Sequence, residues 1–173
     1  TAYEIRLSLV GSEMCIRDSH DVALVLRPTA LDDLGLAGAL AHIVDQWSTR
    51  AQIPIEFHQK PKVLVRLPPA IETTLYRVIL EALTNVLKHA RARRVSVILE
   101  IRPDHALTII EDDGIGFDLE PALPGGAPPR LGLLGMRERV SLHGGTLSIE
   151  SKRASGTALF VRIPLPPAEV IHG

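Results

Sequence analysis

The chain has 173 residues, enough for one domain plus a short appendage, and its 46% hydrophobic content is sufficient for a core. With aromatics at 3%, that core must be aliphatic, and a net charge of −1 gives no global pull toward nucleic acid or acidic lipid. A single cysteine, Cys15, excludes an internal disulfide and fits a reducing compartment. No apolar run approaches the ~20 residues needed to span a bilayer, and residues 1–10 lack a signal-peptide layout.

In chain order, residues 1–19 show no clear helical or strand period. They resemble a translated sequencing-adapter tract and are expected to be non-native or disordered; a genuine N-terminal arm is the alternative. Leu24–Pro28 reads as a helix end, since Pro28 disfavours helical geometry at the residue before it. Thr29 to Leu36 is expected to be a short connection. Leu36, Leu40, Ile43, Val44 and Trp47 then mark one face of an amphipathic helix. Ile53, Ile55 and Phe57 alternate as in a half-buried strand, and a further strand is possible at Val63–Leu67.

Ile71 to Ala90 carries the strongest helical period, with Ile71, Leu75, Val78, Ile79, Leu83, Val86, Leu87 and Ala90 on one broad face. Val95, Val97, Leu99 and Ile101, then Leu107 and Ile109, predict a hairpin turning at Pro103-Asp104-His105. Residues 121–130 hold six Gly or Pro in ten and read as a mobile loop. Leu133 to His143 predicts a third helix, capped by Gly144-Gly145. Leu147 and Ile149 begin a last hairpin, which Thr157–Ile163 completes. The expected fold is an α+β two-layer sandwich: a mixed, mostly antiparallel sheet with helices packed on one face. Residues 20–29 are read as the remnant of a preceding helix, 30–167 as the domain and 168–173 as a tail.

Three segments carry chemistry. On the long helix, Glu81, Asn85 and His89 recur at i, i+4 and i+8, with Lys88 close by; at about 100° per residue all four fall within an arc of about 100°. A carboxylate, an amide oxygen and two cationic or hydrogen-bonding groups suit Mg²⁺ and phosphate together; a solvated helix face is the alternative. Asp112 then ends a strand and is followed by Gly114 and Gly116. Glycine serves where backbone must approach a ligand or adopt positive φ, and the carboxylate can accept from an exocyclic amine such as that of adenine. Asp-Gly turns are also frequent without any ligand. Finally, Gly132 and Gly135 open a helix whose free N–H groups and dipole favour an anion, with residues 118–131 as a flap. An ordinary linker is the alternative, and Met136 is expected to face the core.

Together these residues closely resemble the ATP-binding domain of the GHKL type shared by gyrase, the Hsp90 chaperones, MutL and the sensor histidine kinases, over residues 30–166. The stretch from Leu26 to Leu40 resembles the junction between dimerisation helix and ATPase domain in nitrate-sensor-type histidine kinases, and Asn85–Ala90 is typical of that subfamily. The resemblance implies roles. Asn85 holds Mg²⁺, and Glu81 polarises the attacking group or orients metal-bound water. Lys88 and His89 touch phosphates. Asp112 binds the adenine amine over the turn shaped by Gly114 and Gly116. Gly132 and Gly135 anchor the lid, and Thr157 supports the adenine end.

The implied activity is Mg·ATP-dependent phosphoryl transfer to a histidine on the parent kinase's phosphoacceptor helix, and onward to a response regulator with helix-turn-helix output. Direct nucleic-acid or membrane contact is not expected; the setting is cytoplasmic, with a parent protein anchored in the inner membrane as an option. One departure stands out. His20-Asp21 lies only six residues before Arg27, too close to be the phosphoacceptor of the first dimerisation helix, so that histidine is expected to be missing and the chain monomeric. The other histidines, His42, His58, His105, His143 and His172, lack metal-ligand spacing. Two competing readings share the fold: a serine kinase of the anti-sigma type, and a non-catalytic module that uses nucleotide to regulate a partner.

Overall fold

The computed structural model describes residues 29–62, 65–118 and 131–166. The expectations for residues 1–28, including His20 and the helix end at Pro28, lie outside the described residues. So do Val63 and Leu64, the flap residues 119–130, and the tail from 167.

The element order is α1 (Thr29–Ala51), β1 (Ile55–Lys60), α2 (Pro69–Asn85) with a π-helical turn (Val86–Ala90), β2 (Val95–Ile101), β3 (His105–Asp112), α3 (Leu131–Ser141), β4 (Thr146–Ser151) and β5 (Thr157–Pro164). The five strands form one sheet in the order β1-β2-β3-β5-β4. β1 and β2 are parallel, joined through α2, and the other three pairings are antiparallel. The mixed, mostly antiparallel sandwich expected from the pattern is therefore present.

Strand registers stack the inner face into rows. The first is Ile55, Val95, Asp112, Thr157 and Ser151; the second is Phe57, Val97, Ile110, Leu159 and Ile149. The third holds Gln59, Leu99, Thr108, Val161 and Leu147. Below the polar first row the central strands are almost wholly apolar, and they join Leu36, Leu40 and Val44 of α1, Leu75, Ile79 and Leu83 of α2, and Met136 and Val140 of α3 in one buried cluster. Burying aliphatic side chains stabilises by about 1.5–3 kcal/mol each, so this cluster is the main driving force for the fold.

Four expectations are corrected. Thr29–Leu36 is not a connection: it is helical, broken at Gly35 (φ 68°) before the helix resumes. The carbonyls freed by the break are held by Arg66, whose guanidinium donates to Leu31 O (2.7 Å) and Asp32 O (2.6 Å). In β3 the core-facing residues are Ala106, Thr108 and Ile110, not Leu107 and Ile109, because the hairpin register pairs odd positions of β2 with even positions of β3. Residues 65–67 are not a strand. Leu87 is exposed, because the helix widens to a π turn at Val86, while Val86 and Ala90 of the expected face still pack on the core.

Candidate ATP-binding site

A cavity of about 570 Å³ opens between α2, the first two rows of the sheet and the start of α3. Its size suits a nucleotide-sized ligand. Its walls divide by chemistry. Ala82, Val86, Ile110, Met136, Ile149 and Leu159 give an aliphatic floor, while Glu81, Asn85 and His89 from α2 and Asp112 and Thr157 from the sheet give the polar contacts. Gly116, Gly132, Ile115 and Phe117 complete the rim.

Of the residues expected from sequence, Glu81, Asn85, His89, Asp112, Gly116, Gly132 and Thr157 line this one cavity. Lys88 is exposed and Gly135 stands off the lining; Gly114 lies behind it. The π turn explains the difference between Lys88 and His89. Widening the helix by one residue breaks the 100° spacing after Asn85, and such bulges recur at functional sites. The turn closes on Arg91 in the left-handed region (φ 50°).

The glycines do separate jobs. Gly114 fits against the end of the π turn, where a Cβ would overlap the Ala90 carbonyl. That carbonyl accepts from Ile115 N (2.7 Å), so the turn is keyed into α2. Gly116 has φ +55°, and a Cβ there would overlap Lys152 O. Gly132 lets the first turn of α3 press against Glu81, whose Oε1 occupies the place a Cβ would need. The N-terminus of α3, whose first-turn N–H groups have no partner within the helix, thus stands beside the carboxylate and amide of α2.

Asp112 projects into the cavity from the end of β3. Its Oδ1 accepts from Gly114 N (2.8 Å). Burial is the largest influence on its carboxyl and raises its pKa, against backbone donation from Gly114 and Thr157. Its neighbour Asp113 does different work. It accepts from Arg93 N (2.7 Å) and Arg94 N (2.9 Å), tying the glycine turn to the start of β2, and those bonds hold its pKa below the usual range.

Sequence reasoning missed two participants. Ser151 sits at the first-row edge and bonds Phe117, Gly156 and Thr157; only its register opposite Thr157 could have singled it out. Asp113 was passed over for Asp112, although its place just after a strand, with the basic Arg93-Arg94 pair preceding β2, is a turn-capping signal. Among the described residues, no cluster of three or more His, Cys, Asp or Glu forms a metal site. None of the described helices is long and apolar enough to cross a membrane.

A family model described as "Histidine kinase-, DNA gyrase B-, and HSP90-like ATPase" matches residues 70–167, more than half of the chain. The chain belongs to that ATPase family. It is 38% identical over 142 residues to the signal transduction histidine-protein kinase/phosphatase DegS of Bacillus subtilis, covering 80% of this chain and 36% of that protein. It is 35% identical over 153 residues to the oxygen sensor histidine kinase NreB of Staphylococcus carnosus, covering 87% and 42% respectively. The chain thus spans roughly two fifths of the length of these curated relatives. The fold also matches the histidine kinase domain of a blue-light activated kinase from Erythrobacter litoralis, with TM-score 0.59 and 24% identity over 75% of this chain and 61% of that one. The residues matched by the family model run from α2 to β5 and include every cavity-lining side chain.

Proposed function

We propose that this chain, through residues 30–167, is the catalytic ATP-binding domain of a two-component sensor histidine kinase working in the cytoplasm. The carrying observation is the single cavity in which Glu81 and Asn85 of α2 face Asp112 and Thr157 of the sheet. Kinship to DegS and NreB supports the choice of histidine kinases among the family's branches.

In this reading the adenine amine donates to Asp112, and the aliphatic floor covers the base. The phosphates extend toward Asn85, His89 and the N-terminus of α3 at Gly132; exposed Lys88 reaches them from outside the cavity. Gly114 and Gly116 shape the turn under the base, and Gly135 supports the helix start. The donor set fits Mg²⁺: the Asn85 amide oxygen beside the Glu81 carboxylate offers hard oxygen donors of the kind that ion takes. Asn85 would hold the ion, which would supply neutralisation of phosphate charge. Glu81 accepts a hydrogen bond from one ring N–H of the incoming histidine and so makes the opposite nitrogen the better nucleophile. That nitrogen bonds the γ-phosphorus as the bond to the ADP oxygen breaks. Positioning and charge neutralisation do most of the work in such transfers.

The phosphoacceptor helix is supplied by the parent kinase, and the phosphoryl group passes to a response regulator with a helix-turn-helix output. The test is transfer from γ-³²P-labelled Mg·ATP to a histidine-bearing dimerisation fragment of DegS. Acid-labile, base-stable label on histidine, lost in Glu81→Gln, is the expected result. Label on serine, or none with nucleotide bound, would overturn the proposal.

A further inference from the structure

The hydroxyl of Ser151 joins Phe117 and Thr157 of the cavity lining to Gly156. It accepts from Phe117 N (2.9 Å), lies 3.1 Å from Gly156 O and 3.0 Å from Thr157 Oγ1. A serine hydroxyl has one proton and two lone pairs. Only one arrangement satisfies all the groups. Ser151 must donate to Gly156 O, which can only accept, so its two lone pairs take the Phe117 N–H and the Thr157 hydroxyl proton. If Ser151 donated to Thr157 instead, this carbonyl would lose that donor.

The consequence falls on Thr157. Its proton is committed to Ser151, away from the cavity, so it presents lone pairs to a ligand and no donor. Beside it in the same row, Asp112 is an acceptor as well. We propose that Ser151 is a positioning residue for base selectivity. By taking the Thr157 proton, it makes the base end of the cavity an acceptor-only surface, which accepts a 6-amino purine and rejects a 6-keto purine. This rests on the adenine-binding reading of Asp112 and Thr157 given above. The amine of adenine donates to that surface. The carbonyl of inosine or guanine places a third acceptor against it, and the neighbouring N1–H can reach that surface only if the base shifts from the adenine position, so the site discriminates by hydrogen bonding at the 6-position.

The test compares ATP with inosine triphosphate, which differ at the 6-position and in the proton carried by N1. Both affinities are measured by calorimetry for the wild type, Ser151→Ala and Ser151→Thr. Ser151→Ala frees the Thr157 proton to turn toward a 6-keto oxygen, so the ATP-to-ITP preference should fall about three- to tenfold, the equivalent of one neutral hydrogen bond. Ser151→Thr keeps the hydroxyl and should keep the wild-type ratio. A general loosening of the rim would weaken both nucleotides together and leave the ratio unchanged, which would overturn the proposal. So would a ratio that falls equally in both variants. Should the alanine variant not fold, as judged by its melting transition, Ser151→Cys carries the same comparison. Failure of the wild type to bind ATP would instead defeat the nucleotide-site reading itself, and wild-type binding of ATP and ITP alike would defeat the selectivity claim alone.

Discussion

Replacing Asp112 by Asn separates binding from folding. The substitution keeps the shape and the oxygen that accepts from Gly114 N (2.8 Å), but removes the charge aimed at the cavity and sets a donor in its place. A hydrogen bond to a charged group contributes about 1.5–3 kcal/mol, which corresponds to a roughly 10- to 150-fold rise in Kd for an adenine nucleotide. Stability should move the other way. Burial raises the Asp112 pKa, so between the unfolded and folded values the native state holds the proton more often than the unfolded one. Stability from this group is complete below the ordinary carboxylate range and is lost as pH rises through the raised value. At neutral pH the wild type therefore carries an uncompensated cost that Asn lacks, and the variant should melt no lower. Nucleotide affinity of the wild type should also weaken as pH falls through that raised pKa, while the variant's affinity stays flat. Calorimetric titration and thermal melting across pH 4–8 check all three points. Unchanged affinity in a folded Asp112→Asn protein would refute the reasoning.

Gly116→Ala places a Cβ in the left-handed region against Lys152 O, and the conformation alone should cost about 1–2 kcal/mol in urea unfolding; a neutral result would contradict the turn geometry. The Thr108 hydroxyl, fully buried between Leu99 and Val161, has no hydrogen-bond partner among the described residues, so Thr108→Val should stabilise by about 1–3 kcal/mol in the same assay. Asp113→Ala should lower the melting temperature at neutral pH by freeing the Arg93 and Arg94 N–H groups. Because the folded pKa of Asp113 is depressed, its stabilisation is present above the ordinary carboxylate range and lost as pH falls through the depressed value. The gap between variant and wild type should therefore close on acidification, and a gap independent of pH would count against this role.

Much of this was legible because it depends on period and on glycine. The helical face of Leu36, Leu40 and Val44, the long helix from Ile71, and the alternation of Val95, Val97 and Leu99 each answer to burial on one side, which sequence period reports directly. The site residues on α2 were readable for the same reason: Glu81, Asn85 and His89 are polar where the helix is otherwise apolar.

What was hidden arises from tertiary contacts. Nothing local marks the π turn that turns Lys88 away from the cavity. β3 carries apolar residues at both parities around Thr108, with Ala106 and Ile110 on one and Leu107 and Ile109 on the other, so its period could not choose a face; pairing with β2 chooses it, and the parity of Asp112 then follows. The break at Gly35 looks like a loop until Arg66, 31 residues later, is seen to hold the helix carbonyls. Ser151 acquires its role only where β4 meets β5 and the residues after the glycine turn cross both.

The central claim is that the cavity between α2 and the first rows of the sheet binds Mg·ATP. Its most direct test is calorimetric titration of the purified chain with a non-hydrolysable ATP analogue, with and without Mg²⁺, beside Asn85→Ala. One-to-one binding that is strengthened by Mg²⁺ in the wild type, with that strengthening lost in a folded Asn85→Ala variant, is the predicted result. No binding by the folded wild-type chain, or equal Mg²⁺ dependence in both proteins, would contradict it.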